Sequence, residues 1–161
     1  MIKNVVVAYI KTPIGVCEIK GSELGVSRIS ILDNDIPITG TIPKLLKSCI
    51  VQLEEYFKGE RKVFNLELDY NGTDFQQSVW KSLHHIPYGK TTTYLKQTRL
   101  LGDEKAIRAV ATANGKNPFW IVLPCHRVVG SDGSLTGYAG GIWRKKWLLE
   151  HEQGCEQQSF F

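Results

Sequence analysis

Three short runs rich in β-branched residues open the chain: Val5–Ile10, Val16–Lys20 and Val26–Leu32. Between them lie Thr12-Pro13-Ile14-Gly15 and the stretch Gly21 to Gly25. Those segments carry the Gly and Pro that tight turns use, so the pattern predicts a meander of strands. From Pro43 to Lys58 the apolar positions Leu46, Ile50, Leu53 and Phe57 recur at steps of four, three and four. That spacing predicts a helix with one core face, started by Thr41 or Pro43 and closed by Gly59. Val63–Leu68 reads as one more strand. Asp69-Tyr70-Asn71-Gly72 is rich in turn formers and marks a boundary, giving an N-terminal α/β domain over 1–72 and a second domain over 73–161.

The pattern is helical after that boundary. Thr73 with Gln76 forms a capping-box pair that opens a helix through Phe75, Val79, Trp80, Leu83 and Ile86. Pro87-Tyr88-Gly89 ends it. A short helix is expected from about Thr93 to Leu101, then a turn at Gly102-Asp103, then a helix from about Lys105 to Asn114 with Gly115 at C′. Two short helices joined by a Gly-containing turn make a helix-turn-helix candidate. Ile107, Val110 and Ala111 form the core face of the second helix. Its other side presents Arg108, Ala109, Thr112 and Ala113, small except for one Arg. Such a face can approach a DNA groove closely, with Arg108 as the single long probe; the plain alternative is a solvated Ala-rich face.

Composition changes this picture little. The 161 residues are 42% hydrophobic and 22% charged, as in ordinary globular proteins. The N-terminal apolar run is too short for a signal or membrane segment, so an intracellular, non-secreted protein with reduced thiols is expected. Charge is uneven: residues 1–80 carry 9 Lys/Arg against 10 Asp/Glu, and residues 81–161 carry 11 against 6. A basic second half fits a polyanionic partner. None of Cys17, Cys49, Cys125 and Cys155 stands in a CxxC pair, so zinc-ligand spacing is missing. Cys17 and Cys49 read as small buried hydrophobes and Cys155 as an incidental thiol.

Only Cys125 has unusual neighbours. Phe119 to Leu123 is an apolar run of buried-strand type leading into Pro124-Cys125-His126-Arg127-Val128-Val129. In a regular strand Cys125 and His126 would point to opposite faces. Their cooperation therefore requires the backbone to turn, or a bridging water. Burying such a pair is costly without partners. An imidazole that takes the thiol proton raises the thiolate fraction, and an acid behind it holds the tautomer. On chemistry alone a cysteine hydrolase, a redox thiol and an alkyl acceptor all remain open, although no resolving cysteine is adjacent.

Pro124 to Val128, preceded by Trp120-Ile121-Val122-Leu123 and followed by Gly137-Tyr138-Ala139-Gly140-Gly141, resembles the active-site signature of the O6-alkylguanine-DNA alkyltransferases. The resemblance runs from Thr73 to Gly154 and includes Tyr94, Arg108-Ala109-Val110, Asn117-Pro118 and Trp147-Leu148-Leu149-Glu150-His151-Glu152. It implies an α+β protein: a small N-terminal α/β domain, then a mostly helical, winged helix-turn-helix-like domain that binds DNA and accepts the alkyl group. The activity implied is repair by direct reversal, one alkyl group moving irreversibly from O6-alkylguanine to Cys125 after base flipping. Whether O4-alkylthymine is a second substrate is left open by the resemblance.

The resemblance also implies roles. Cys125 is the acceptor thiolate, His126 its base through a water, and Glu152 the holder of His126. Asn117 braces the turn, and Tyr94 protonates the guanine ring. Arg108 fills the gap left by the flipped nucleotide, with Ala109, Thr112, Ala113 and Thr93 at the DNA. Trp120, Val128, Tyr138, Ala139, Gly140 and Lys145 line the substrate pocket, where main-chain carbonyls at Cys125 and Val128 accept from the guanine amino group. The implied protein is a monomer that uses no cofactor and no membrane, cytoplasmic in a prokaryote and nuclear in a eukaryote. Ala139 stands where many members have Ser, and Trp120 where some have Pro. Some members hold a structural zinc in the N-terminal domain; with only Cys17, Cys49 and no His before His84, none is expected here. The rival readings are a helix-turn-helix regulator, which needs more long polar side chains than Lys105–Asn114 offers, and a lesion-recognition protein, which lacks the cysteine.

Overall fold

The computed structural model describes residues 4–135, 138 and 140–158, with backbone only for 155–158. The chain divides into two compact units. One runs to Asn71 and takes back Pro118–Trp120; the other comprises Gly72–Asn117 and the chain from Ile121 onward.

In the first unit β1 (Val6–Thr12), β2 (Gly15–Ser22) and β3 (Gly25–Leu32) form an antiparallel sheet in that order. The register pairs Ile10 with Cys17 and Ile19 with Ile29. Alternation therefore sends Ala8, Ile10, Cys17, Ile19, Ile29 and Ile31 to a buried face. Helix α1 (Lys47–Phe57), preceded by a single 3-10 turn after Pro43, buries Cys49, Ile50, Leu53 and Tyr56. Gly59 closes it at φ 77°.

Val63–Leu68 is not a strand. Only Leu68 forms a single bridge, to Val26. Gln52 explains why: its side-chain amide accepts from the Asn65 N–H at 2.9 Å and donates to the Asn65 carbonyl at 3.0 Å. A buried side chain thus satisfies the backbone groups that a neighbouring strand would have taken. Where the segment does reach β3, Gly25 is required: it sits at φ 126°, and a Cβ there would lie 2.6 Å from the Glu67 carbonyl oxygen.

Phe119–Leu123 is also not a continuous strand. The Ile29 N–H donates to the Pro118 carbonyl, and the Trp120 N–H donates to the Ile29 carbonyl, so three residues add beside β3. The chain then turns at Ile121, whose φ of 73° is unusual for a β-branched residue. The residues are as buried as their apolar run predicts, with Phe119, Ile121 and Leu123 at 0–1% exposure. Burial came from side-chain chemistry, whereas the turn was set by contacts the run does not encode.

In the second unit Thr73 and Gln76 cap each other at the start of α2 (Asp74–Ser82). A 3-10 turn over Leu83–His85 extends it. Helix α3 (Tyr94–Leu100) is capped by the Thr93 side chain, and Asp103 caps the 3-10 turn that leads into α4 (Ile107–Gly115). Gly115 is the last residue of α4 rather than a left-handed C′ cap, because the helix ends at Lys116 with negative φ. Val79, Val110 and Ala113 pack together beneath Leu101 and Ala106, and the Trp80 indole donates to the Ala113 carbonyl at 2.8 Å. Two short strands, β4 (Thr92–Thr93) and β5 (Val128–Val129), pair in parallel. Helix α5 (Ile142–Gln158) follows. Among the described residues no helix is long and apolar enough to cross a membrane.

Candidate active site and DNA-facing helix

Pro124 leads into one turn of 3-10 helix, Cys125–Arg127, held by bonds from the Cys125 N–H to Leu123 and from the Arg127 N–H to Pro124. With about three residues per turn, successive side chains fan out around the axis instead of alternating across a strand. Cys125 and His126 are therefore not forced onto opposite faces. This turn joins α2's end, β4, β5 and α5 within one unit.

His126 is fully buried, and its Nε2 lies 2.7 Å from Oε2 of Glu152 on α5. A carboxylate only accepts, so Nε2 carries the proton of the neutral ring and Nδ1 is left as the acceptor. Nδ1 has no hydrogen-bond partner among the described residues. Burial depresses the imidazole below its ordinary value, against the pull of Glu152. For Glu152 burial acts upward, but His126 and Arg127 outweigh it and hold the carboxyl well below the usual range.

Arg127 is the functional residue that the sequence reading missed. Its Nε donates to Glu152 Oε1 at 2.8 Å and its Nη2 to Oε2 at 3.0 Å, while Nη1 donates to the Ile86 carbonyl at 2.7 Å. The Gly89 N–H adds a bond to Oε1 at 3.2 Å. The available signal was an Arg inside a run of buried residues, which demands a partner. Sequence alone could not identify that partner.

Asn117 donates to the Leu123 carbonyl at 2.8 Å and also hydrogen-bonds the Cys125 sulfur. Cys125 is 7% exposed. Burial pushes its thiol up, opposed by the Asn117 bond and the charge of Lys145. Lys145 is itself buried, which lowers its amine to about 8, with the charge of a Cys125 thiolate acting in the opposite direction. Its Nζ lies 3.5 Å from the Tyr94 hydroxyl and 5.6 Å from the ring centroid. A thiol, a bare imidazole nitrogen, an ionised carboxylate, a lysine and a phenol thus surround one turn. That set can generate a thiolate and donate a proton to a leaving group.

The remaining predicted residues are distributed as follows. Arg108, Ala109 and Thr112 are exposed on α4, with the Thr112 hydroxyl bonded back to the Arg108 carbonyl. Ala113 is not on that face. It is 3% exposed and packs against Val79 and Val110, because its position is one step further round the helix, toward Trp80. Thr93 is half-buried as the α3 cap. Val128 and Tyr138 are buried, and the Gly140 carbonyl accepts from Arg144 at 3.1 Å. Trp120 is half-buried and belongs to the first unit. Ala139 lies outside the described residues, as does Gly137 of the same loop motif. No group of three metal-ligating side chains occurs among the described residues.

Two family models cover most of the chain. Residues 74–154 match the DNA binding domain of 6-O-methylguanine DNA methyltransferase, and residues 5–70 match its ribonuclease-like domain. A methylated-DNA--protein-cysteine methyltransferase of Methanosarcina barkeri is 44% identical over 151 residues, spanning 89% of this chain and 94% of its own. Its Mycobacterium bovis counterpart is 44% identical over 148 residues, 89% of this chain and 90% of its own. The crystal structure of Mycobacterium tuberculosis O6-methylguanine methyltransferase superposes with a TM-score of 0.83 at 42% identity, covering 93% of each chain. A structure of the M. tuberculosis protein in complex with DNA gives a TM-score of 0.83 at 44% identity, over 91% of this chain and 92% of that one. On the family models matched over residues 5–70 and 74–154 and on fold, the chain belongs to the 6-O-methylguanine DNA methyltransferase family.

Proposed function

We propose that this protein repairs DNA by moving an alkyl group from O6-alkylguanine in a duplex to Cys125, once per molecule. The observation that carries the reading is one buried turn that holds Cys125 and His126 in succession, with His126 bonded to Glu152 of α5 and with Lys145, whose charge acts on the sulfur, reaching the Tyr94 phenol. His126 Nδ1 takes the thiol proton, directly or through one water, and the ring becomes an imidazolium against the Glu152 carboxylate. The sulfur attacks the alkyl carbon, the carbon–O6 bond breaks, and its electron pair stays with guanine. Tyr94 protonates the departing base, with Lys145 beside the phenol. The thioether is not hydrolysed, so no step restores the thiol.

A buried sulfur reaches its substrate only if the nucleotide leaves the stack. The exposed, small-residue face of α4 supports groove binding, with Arg108 entering the gap. The protein acts inside the cell as a monomer without a cofactor. Intact-mass spectrometry after incubation with an O6-methylguanine duplex tests the reading: one methyl group should appear on Cys125, and Cys125→Ala should gain none while still binding DNA. Turnover beyond one equivalent, or hydrolysis of ester substrates, would favour a cysteine hydrolase instead.

A further inference from the structure

The interior of the second unit contains an amide pair that the chemistry above does not use. Gln97, on α3, is 3% exposed, and Asn114, near the end of α4, is 4% exposed. The two amides bond reciprocally: Gln97 Nε2 donates to Asn114 Oδ1 at 3.1 Å, and Asn114 Nδ2 donates to Gln97 Oε1 at 2.7 Å. Gln97 Nε2 also donates to the Ser82 hydroxyl at 3.2 Å, which itself donates to the Val79 carbonyl at 2.6 Å. The pair is thus anchored on α2 as well.

Its position is what gives it meaning. Gln97 is three residues after Tyr94, one turn along the same helix. Asn114 is three residues before Asn117, and its carbonyl accepts from the Asn117 N–H at 3.2 Å. Asn117 in turn holds the Leu123 carbonyl and the Cys125 sulfur. A short path of hydrogen bonds and one helical turn therefore joins the phenol to the thiol. An apolar pair would pack this crossing as densely without fixing its register, since apolar contacts are non-directional. Two reciprocal amide bonds permit one arrangement only.

We infer that Gln97 and Asn114 are positioning residues: their reciprocal amide bonds set the Tyr94 helix against the Asn117–Cys125 turn, fixing proton donor and nucleophile on opposite sides of the alkylated base. This rests on the reading of the site as an alkyltransferase. A misplacement of about 1 Å between reacting groups can cost roughly a hundredfold in rate.

The test is a double-mutant cycle with Gln97→Met, Asn114→Leu and the two together, scored by thermal melting and by the second-order rate of transfer from free O6-benzylguanine and from an O6-methylguanine duplex. Each single variant leaves a buried amide unmatched and should melt earlier, whereas the double removes both and should regain most of the melting temperature. The double variant should nevertheless transfer about 10–100-fold more slowly from both substrates, with duplex binding unchanged. A swapped pair, Gln97→Asn with Asn114→Gln, keeps the reciprocal bonds and should recover more of the rate than the apolar double; it carries the comparison if the apolar double fails to fold. Rates that simply follow the melting temperature, or an apolar double at full rate, would overturn the inference. Failure of the unsubstituted protein to accept an alkyl group would overturn the functional reading itself.

Discussion

Arg127 grips Glu152 with two guanidinium nitrogens, at 2.8 and 3.0 Å, in the same buried space where Glu152 holds His126. The fixed charge of Arg127 balances the carboxylate, so Glu152 can stay ionised while His126 stays neutral. A base needs that state. Without Arg127, the carboxylate would have either to protonate or to keep the imidazole charged, and in both cases Nδ1 would lose its readiness to accept a proton.

Arg127→Met should therefore act on stability and on chemistry together. Leaving one member of a buried ion pair uncompensated costs about 3–5 kcal/mol, which for a chain of this size corresponds to roughly 6–20 °C in melting temperature. Transfer from free O6-benzylguanine should also slow at pH 7 more than the loss of folded protein explains. Melting curves and single-turnover rates measured well below the transition separate the two effects. A variant that melts early yet transfers at the normal rate would restrict Arg127 to a structural role.

Acid should destabilise the protein in two stages. The folded His126 lies below its ordinary 6.5, so the unfolded chain binds the extra proton first. This contribution is complete above about pH 6.5 and is lost as pH falls toward the folded value. Glu152 is also depressed, from 4.5, so its contribution persists through this window and is lost only at more acid pH. Between pH 7.5 and 5, then, His126 shares the slope with His84, which burial and His85 also lower, and at the upper end with Lys145. Melts across that range should fall with acid in the unsubstituted protein and be flatter in His126→Phe. Equal slopes would assign the dependence to other groups.

Arg108→Ala should separate DNA handling from chemistry. Arg108 is exposed, so its loss should change stability by no more than about 0.5 kcal/mol. Extruding a base costs a few kcal/mol, and losing the residue proposed to fill the gap should slow transfer from duplex DNA by at least about tenfold. Transfer from free O6-benzylguanine should be unchanged. Equal losses on both substrates would move Arg108 into the pocket.

Alkylation should weaken the fold. Cys125 is 7% exposed and bonded to Asn117, so an added methyl or benzyl group crowds a packed turn. Overpacking of this kind costs about 1–3 kcal/mol, or roughly 2–12 °C. Melting of the free, methylated and benzylated protein measures it. An unchanged benzylated form would show a pocket that admits the adduct without strain.

The elements that depend on near neighbours were legible in the chain itself. The Thr73–Gln76 cap and the Thr93 cap of α3 rest on residues three positions apart, and the three strands were legible from their own β-branched runs and the short turns that join them. Cys125 stood out for the same reason, as a thiol and an imidazole in one short motif. Tertiary structure decided the rest. Gln52 took the backbone of Asn65 and abolished the strand read at Val63–Leu68. The Ala-rich α4 had too weak an apolar contrast to fix its rotation, so the inward turn of Ala113 had to come from packing against Val79 and Trp80. Arg127 and Glu152 lie 25 residues apart, and Gln97 and Asn114 lie 17 apart. A polar side chain carries no mark of whether water or a distant partner will satisfy it; only the folded path of the chain supplies the partner.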